Sequence, residues 1–435
     1  MVGGICTERR LFVLISRGSI ADRIDWITVL LYLILVFWGW FNIYAAVYDE
    51  EQAVSIFSLS TNSGKQLIWI GTSFLLILGV MMLDFKFYDS FGYIFYGLVI
   101  LLLIAVLSTG TIVAGSKSWF QIGGFRLQPS EFTKFATALA IAKFLGTVNI
   151  KLDNTKNQLI AGGLIGLPIA LIMLQGDLGS AMVFGAFAIV YFREGLSPML
   201  FVAGLGVVVL FIVSLLVDQS IIYIVTGTIG LIIIGLSIKN YKRILLVIGV
   251  MVFVVGMVKS VDFIMTDVLK PHQRNRVVSL FNPDADPLGV GWNVTQSKIA
   301  IGSGGVFGKG FLNGTQTKFD FVPEQSTDFI FCTLGEEQGW VGSLILIGLF
   351  TILLIRISFI AERQKSRFAR VYGYGVLSVL FFHFMVNIAM TIGLFPVIGI
   401  PLPFFSYGGS SLWSFTILLF ILLNLDAHRM QVLMH

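Results

Sequence analysis

Long apolar runs recur through this chain, separated by short polar loops, and no other feature restricts its fold as strongly. Crossing ~30 Å of hydrocarbon as a helix takes ~20 mainly apolar residues, and the helix is favoured because lipid offers the backbone no hydrogen bonds of its own. Such runs place helices near residues 26–48, 66–83, 90–109, 130–146, 157–174, 178–193, 198–217, 219–238, 243–260, 327–356, 370–394 and 408–426. Composition agrees, with 56% of residues hydrophobic and 12% charged, whereas a soluble domain carries about a quarter charged. The expected fold is an all-α polytopic membrane protein of about twelve transmembrane helices, a single membrane domain over 1–435.

Lys and Arg accumulate in cytoplasmic loops, so their distribution orients the helices. Lys239, Lys242 and Arg243 follow the eighth run; Arg356, Arg363, Lys365, Arg367 and Arg370 flank the loop after the tenth; His428 and Arg429 follow the twelfth. The loop after the first run carries Asp49, Glu50 and Glu51 instead. Both termini are therefore expected in the cytoplasm, residues 1–25 forming the N-terminal segment. Arg9, Arg10, Arg17 and Arg23 ahead of an apolar stretch have the layout of a secretory signal. That stretch, Trp26 to Val47, exceeds the ~7–15 residues of a cleaved signal and is read as an uncleaved anchor. The net charge of +5 resides in loops, so no nucleic-acid partner is expected. Cys6 precedes the first run and Cys332 lies inside a later one, which argues on depth against a disulfide.

The one long connection, residues 261–326, faces outward in this topology. Connections longer than ~12–15 residues are usually functional or disordered. Phe281, Trp292, Val294, Ile299, Ile301, Phe307 and Phe311 supply apolar material for short amphipathic helices on the membrane surface. Within it Lys270-Pro271-His272-Gln273-Arg274-Asn275-Arg276 precedes Asn282-Pro283-Asp284-Ala285-Asp286-Pro287-Leu288-Gly289. Spacing alone leaves two readings open. In one, long translocated loops escape the charge bias and Asp before Pro starts a turn or caps a helix. In the other, Arg274 and Arg276 contact phosphate while Asp286 acts as general base toward a sugar hydroxyl, the chemistry of glycosyl transfer from a pyrophosphate-linked donor. A pyrophosphate neutralised by cations leaves without being protonated, so a second acid is not required.

A second constellation, Trp119-Phe120 with Gln128-Pro129-Ser130-Glu131-Phe132-Thr133-Lys134, opens the fourth helix. Ser130 reads as its N-cap, and Glu131 and Lys134 share one helical face on which they can pair. Such pairs are ordinarily structural, but ionisable groups entering a bilayer raise the weight of a functional role. Further polar strings are Gln175-Gly176-Asp177, Glu324 with Asp328, Glu336-Glu337 within the tenth helix, and Pro401 to Ser411 before the last.

On these strings the sequence resembles the SEDS family (shape, elongation, division, sporulation). The match rests on Gln128 to Lys134, Asp286 to Gly305, Gly314-Thr315-Gln316-Thr317, Pro323 to Phe331 and Gly399 to Ser411. The forms Gln296 to Gly305 and Gly314 to Thr317 favour the elongation branch over the division branch. The resemblance implies a peptidoglycan glycosyltransferase that polymerises lipid II into β-1,4-linked glycan strands and releases undecaprenyl pyrophosphate, in the bacterial plasma (inner) membrane with an extracytoplasmic active site. It implies as partners the nascent strand, a class B penicillin-binding protein (the transpeptidase) and other elongation-complex membrane proteins. Asp286 matches the family's catalytic carboxylate, and Trp119, Glu131 and Lys134 match positions required for function. Gln296, Lys298 and Ser303 are read as supporting substrate. A divalent cation (Mg or Mn) beside the pyrophosphate is compatible with this chemistry, though the sequence shows no ligand cluster that demands one. The family usually has about ten helices, so 219–260 is expected to be an inserted pair, its even number preserving topology. Two positions depart from the pattern: Ser118 where a basic residue is usual, and Gly176 where Pro is usual. A lipid II flippase or a non-catalytic scaffold of the elongation complex is the alternative; outward polar clusters and the lack of an evident repeat favour the enzyme.

Overall fold

The computed structural model describes residues 20–48, 55–113, 115–237, 240–263, 267, 290–318 and 321–431. Asp286, Arg274 and Arg276 lie outside the described residues. The principal elements in chain order are α1 (Trp26–Ala46), α2 (Asn62–Met82), α3 (Phe85–Thr109), β1 (Thr111–Val113), β2 (Ser116–Ile122), β3 (Phe125–Leu127), α4 (Pro129–Gly146), α5 (Thr155–Leu174), α6 (Leu178–Val183) and α7 (Phe187–Arg193). There follow α8 (Pro198–Leu216), α9 (Gln219–Leu236), α10 (Tyr241–Phe263), α11 (Val290–Ser303), α12 (Thr315–Lys318), α13 (Ile330–Glu362), α14 (Arg367–Thr391) and α15 (Gly409–Ala427). Among the described residues, 9 helices are long and apolar enough to cross a membrane. The protein is a multi-pass, all-α membrane protein, and each of the runs read from the sequence coincides with helix.

Short polar side chains mark where these helices begin. Asp25, Asp84, Asn154, Asp177 and Asp218 each accept a backbone N–H from the first turn of α1, α3, α5, α6 and α9, satisfying donors that a helix start leaves unpaired. One expectation fails here. Ser130 is not the cap of α4, because Pro129 takes its first helical positions and Gln128 precedes it without a side-chain cap bond. Proline's fixed φ and missing N–H suit the start of a helix. The run 178–193 is also not one regular helix, since a 3-10 turn, Phe184–Ala186, separates α6 from α7.

The chain divides into two units, residues 1–195 with 292–435, and Leu196–Gly291. In the second, α10 packs on α8 and α9, and Gly230 on α9 faces the Met251 sulfur of α10 too closely to leave room for a Cβ. In the first, α4 is the central element, in contact with α3, α5, α14 and α15, while α13 packs on α1 and α14. One end of this unit gathers the start of α1 with the ends of α13 and α15. There Arg363 bridges Asp25 and Asp426, Arg356 joins Asp25 at 2.7 Å, and Arg367 and Arg370 both reach Glu194. The opposite end gathers the three-stranded antiparallel sheet, the starts of α4, α6 and α15, and the segment before α15.

Candidate functional site

Trp119 stands on β2, opposite Thr111 of β1, whose Oγ1 donates to the Trp119 carbonyl at 3.2 Å. Neighbouring side chains on a strand point to opposite faces. Lys117 therefore sends its Nζ to the Ser108 carbonyl at 2.9 Å, whereas Ser118 is 1% exposed. A basic side chain at 118 would have to be buried, so the strand carries its cation one position earlier. The Lys117 N–H donates to the Gln175 carbonyl at 2.9 Å, tying the sheet to the turn before α6. At that turn Gly176 has φ +81°, which excludes the proline usual at this position because proline is fixed near −65°. Asp177 then accepts from Ser180 N at 3.0 Å, Ser180 Oγ at 2.8 Å and Gln128 Nε2 at 2.8 Å.

One turn further in, Glu131 and Lys134 are 3% and 1% exposed, with Nζ 2.7 Å from Oε2. The pairing read from the sequence is present, but as a buried ion pair rather than an interfacial one. Lys134 Nζ also lies 3.1 Å from His383 Nε2 and 4.5 Å from the centre of the Phe415 ring. His383 Nδ1 is 3.1 Å from the Pro401 carbonyl, which can only accept. Its partners thus assign the proton to Nδ1, leaving the Nε2 lone pair to accept from Lys134. Ser414 Oγ donates to the Glu131 carbonyl at 2.6 Å, joining α15 to the same turn. His383 was missed in the sequence, although an imidazole inside an apolar span was the available signal.

The described part of the long connection is held by a break in α13. Gly339 has φ 67° and ψ −158°, which interrupts the helical ladder. The carbonyls of Glu336 and Glu337 accept instead from Lys309 N and Gly310 N at 3.0 and 2.9 Å, and Trp340 N and Val341 N donate to Gly305 and Val306 at 2.9 and 3.1 Å. Four backbone groups freed by the break are thereby paired with this segment, as burial favours. The Glu336 carboxylate, on a residue 0% exposed, accepts from Lys309 Nζ at 2.7 Å and from the N–H groups of Thr315, Gln316 and Thr317 at 2.8, 2.9 and 3.0 Å. It caps α12 from outside. The described helices of this connection are α11 and α12.

Gln296, Lys298 and Ser303 all fall on α11, but not on one face. Gln296 and Lys298 are about 200° apart around the axis at 100° per residue. Between them Ser297 donates to the Thr391 carbonyl at 2.8 Å. Lys298 lies against the turn after α14, where a Cβ on Gly393 would be 3.3 Å from its Nζ. Ser303 Oγ donates to Ala300 of its own helix at 2.8 Å. The structure therefore joins Glu131 to Lys134, links the strand of Trp119 to the turn that anchors Gln128, and ties α11 to the end of α14 through Ser297. No group of three or more His, Cys, Asp or Glu side chains among the described residues is arranged to hold a metal ion.

Comparison with known proteins bears on this arrangement. The chain is 34% identical over 434 residues to peptidoglycan glycosyltransferase RodA of Treponema pallidum, covering 93% of this chain and 98% of that protein. It is 36% identical over 344 residues to peptidoglycan glycosyltransferase MrdB of Escherichia coli K12, covering 79% and 80%. Its fold is similar to a chain of a solved peptidoglycan synthase complex described as coordinating polymerization and crosslinking, with TM-score 0.69 at 26% identity, covering 94% and 99%. The rod shape determining protein RodA of Thermus thermophilus shares the fold alone, with TM-score 0.61 at 24% identity, covering 93% and 97%. A family model for cell cycle proteins of the FtsW, RodA and SpoVE type matches residues 25–226 and 207–431, so nearly the whole chain is accounted for: it belongs to that family.

Proposed function

We propose that this protein is a peptidoglycan glycosyltransferase that polymerises lipid II into β-1,4-linked glycan strands during cell elongation. The observation that carries the reading is its similarity to a protein of that activity over 98% of the relative's length. The buried Glu131–Lys134 pair, placed at the end of the bundle that carries the sheet and the outer segments, fits a rigid floor beneath a reaction site.

In this mechanism Asp286 deprotonates the 4-hydroxyl of the acceptor GlcNAc, and that oxygen attacks the anomeric carbon of the donor MurNAc. The bond to the lipid pyrophosphate breaks with inversion, α to β. Arg274 and Arg276 balance the charge that develops on the departing undecaprenyl pyrophosphate. The end bearing Asp25 and Arg363 faces the cytoplasm, as the loop charges require, and the site opens outward. Because a fold relative works in a complex that coordinates polymerization with crosslinking, a class B penicillin-binding protein is the partner we assign.

Purified protein with that partner should give glycan ladders from lipid II, and Asp286→Ala and Asp286→Asn should abolish them at equal folded amounts. Undiminished ladders in the variants would remove Asp286 as the base. No ladders from partnered wild type, together with lipid II translocation in vesicles, would put the flippase in place of the enzyme.

A further inference from the structure

We propose that His383 is a positioning residue, which orients the Lys134 ammonium for polymerisation. The inference rests on the reading that Lys134 is required for that reaction. Lys134 and His383 are each 1% exposed, so neither exchanges partners with solvent. Glu131 takes one ammonium proton and His383 Nε2 takes another, while the Phe415 ring lies on a further side at 4.5 Å. The imidazole is itself fixed at both edges, by Lys134 and by the Pro401 carbonyl, and packs edge-on to Phe415 with centroids 4.8 Å apart. It cannot turn without breaking a buried hydrogen bond.

His383 therefore connects three parts of the fold: α4 through Lys134, α14 on which it sits, and the segment leading to α15 through Pro401. One turn along α14, Asn387 donates to the carbonyls of Ile400 and Asp328, each at 2.8 Å. The outer segment is thus gripped twice by α14, and one grip ends on the lysine. A salt bridge to Glu131 would alone satisfy the charge of Lys134. A second buried acceptor, brought from another helix, instead fixes its direction.

The test separates the two edges of the ring. Gln at 383 places an amide oxygen where Nε2 stands and restores the acceptor for Lys134; Asn reaches only the Nδ1 position and restores the link to Pro401. In the full chain with its partner, kcat and KM for lipid II are measured per folded protein for His383→Phe, His383→Gln and His383→Asn. We expect Phe and Asn to lower kcat about tenfold to a hundredfold with KM nearly unchanged, and Gln to stay within about threefold of wild type. The reverse order, Asn active and Gln inactive, would make His383 a tether for Pro401 and overturn the proposal, as would three variants of equal activity. If His383→Phe does not fold, the contrast between Gln and Asn decides. Lys134→Met is measured alongside: full activity there would remove the role of Lys134 itself, a failure distinct from that of His383.

Discussion

Glu131 and Lys134 illustrate how burial changes the meaning of a common pairing. Exposed i,i+3 pairs contribute ~0.2–1 kcal/mol, whereas removing one member of a buried pair leaves a charge with no counter-ion and costs ~3–5 kcal/mol. Glu131→Gln should accordingly lower Tm in detergent substantially, and Glu131→Gln with Lys134→Met should restore much of the loss, because both charges are then gone. Asp25 provides a pH signature at the other end of the unit. Burial pushes its carboxyl up, but hydrogen bonds from Arg356 and Thr28 outweigh that and hold it at about 2, against an ordinary 3.8. The folded chain binds this proton less readily than the unfolded one, so the stabilisation is whole above pH 3.8 and is lost as pH falls toward 2. Because Arg356 and Arg363 are about a third exposed, the contribution is about 1–2 kcal/mol. Denaturation curves of wild type and Asp25→Asn should differ at neutral pH and converge at the acid end.

At the scale of elements, Glu336 organises a stretch that has little regular structure of its own. A single turn such as α12 does not persist alone, and here its first N–H groups close on one carboxylate. Glu336→Gln keeps an acceptor but loses the charge and the Lys309 bridge. Amide exchange at Thr315, Gln316 and Thr317 should then quicken about tenfold or more while exchange in α14 stays unchanged. The sequence disclosed Glu336 as a carboxylate at costly depth, and apolar runs disclosed the long helices, because both follow from the cost of polarity in lipid. It did not disclose the sheet from Thr111 to Leu127, because β1 and β3 have three residues each and the sequence of β2 does not alternate, nor the break at Gly339, since one glycine in a helical run has many uses. His383 escaped for a related reason: its partners Lys134 and Pro401 lie 249 and 18 residues away, and no helical or strand spacing records them.

For the whole molecule, topology carries the remaining test. If residues 219–260 are an inserted pair, deleting both spans across a short polar linker should leave a C-terminal reporter on the same side of the membrane. Deleting 219–238 alone should move it to the opposite side. The interrupted ladder of α13 is served by the order in which the chain is made. Gly305, Val306, Lys309 and Gly310, which pair with the groups freed at the Gly339 break, leave the ribosome before Gly339 does. The irregular turn therefore never has to wait in hydrocarbon for its complement. A chain with this segment moved behind α15 would contain the same hydrogen bonds when finished but would meet the bilayer with the break exposed, and during synthesis it should be retained and degraded rather than assembled.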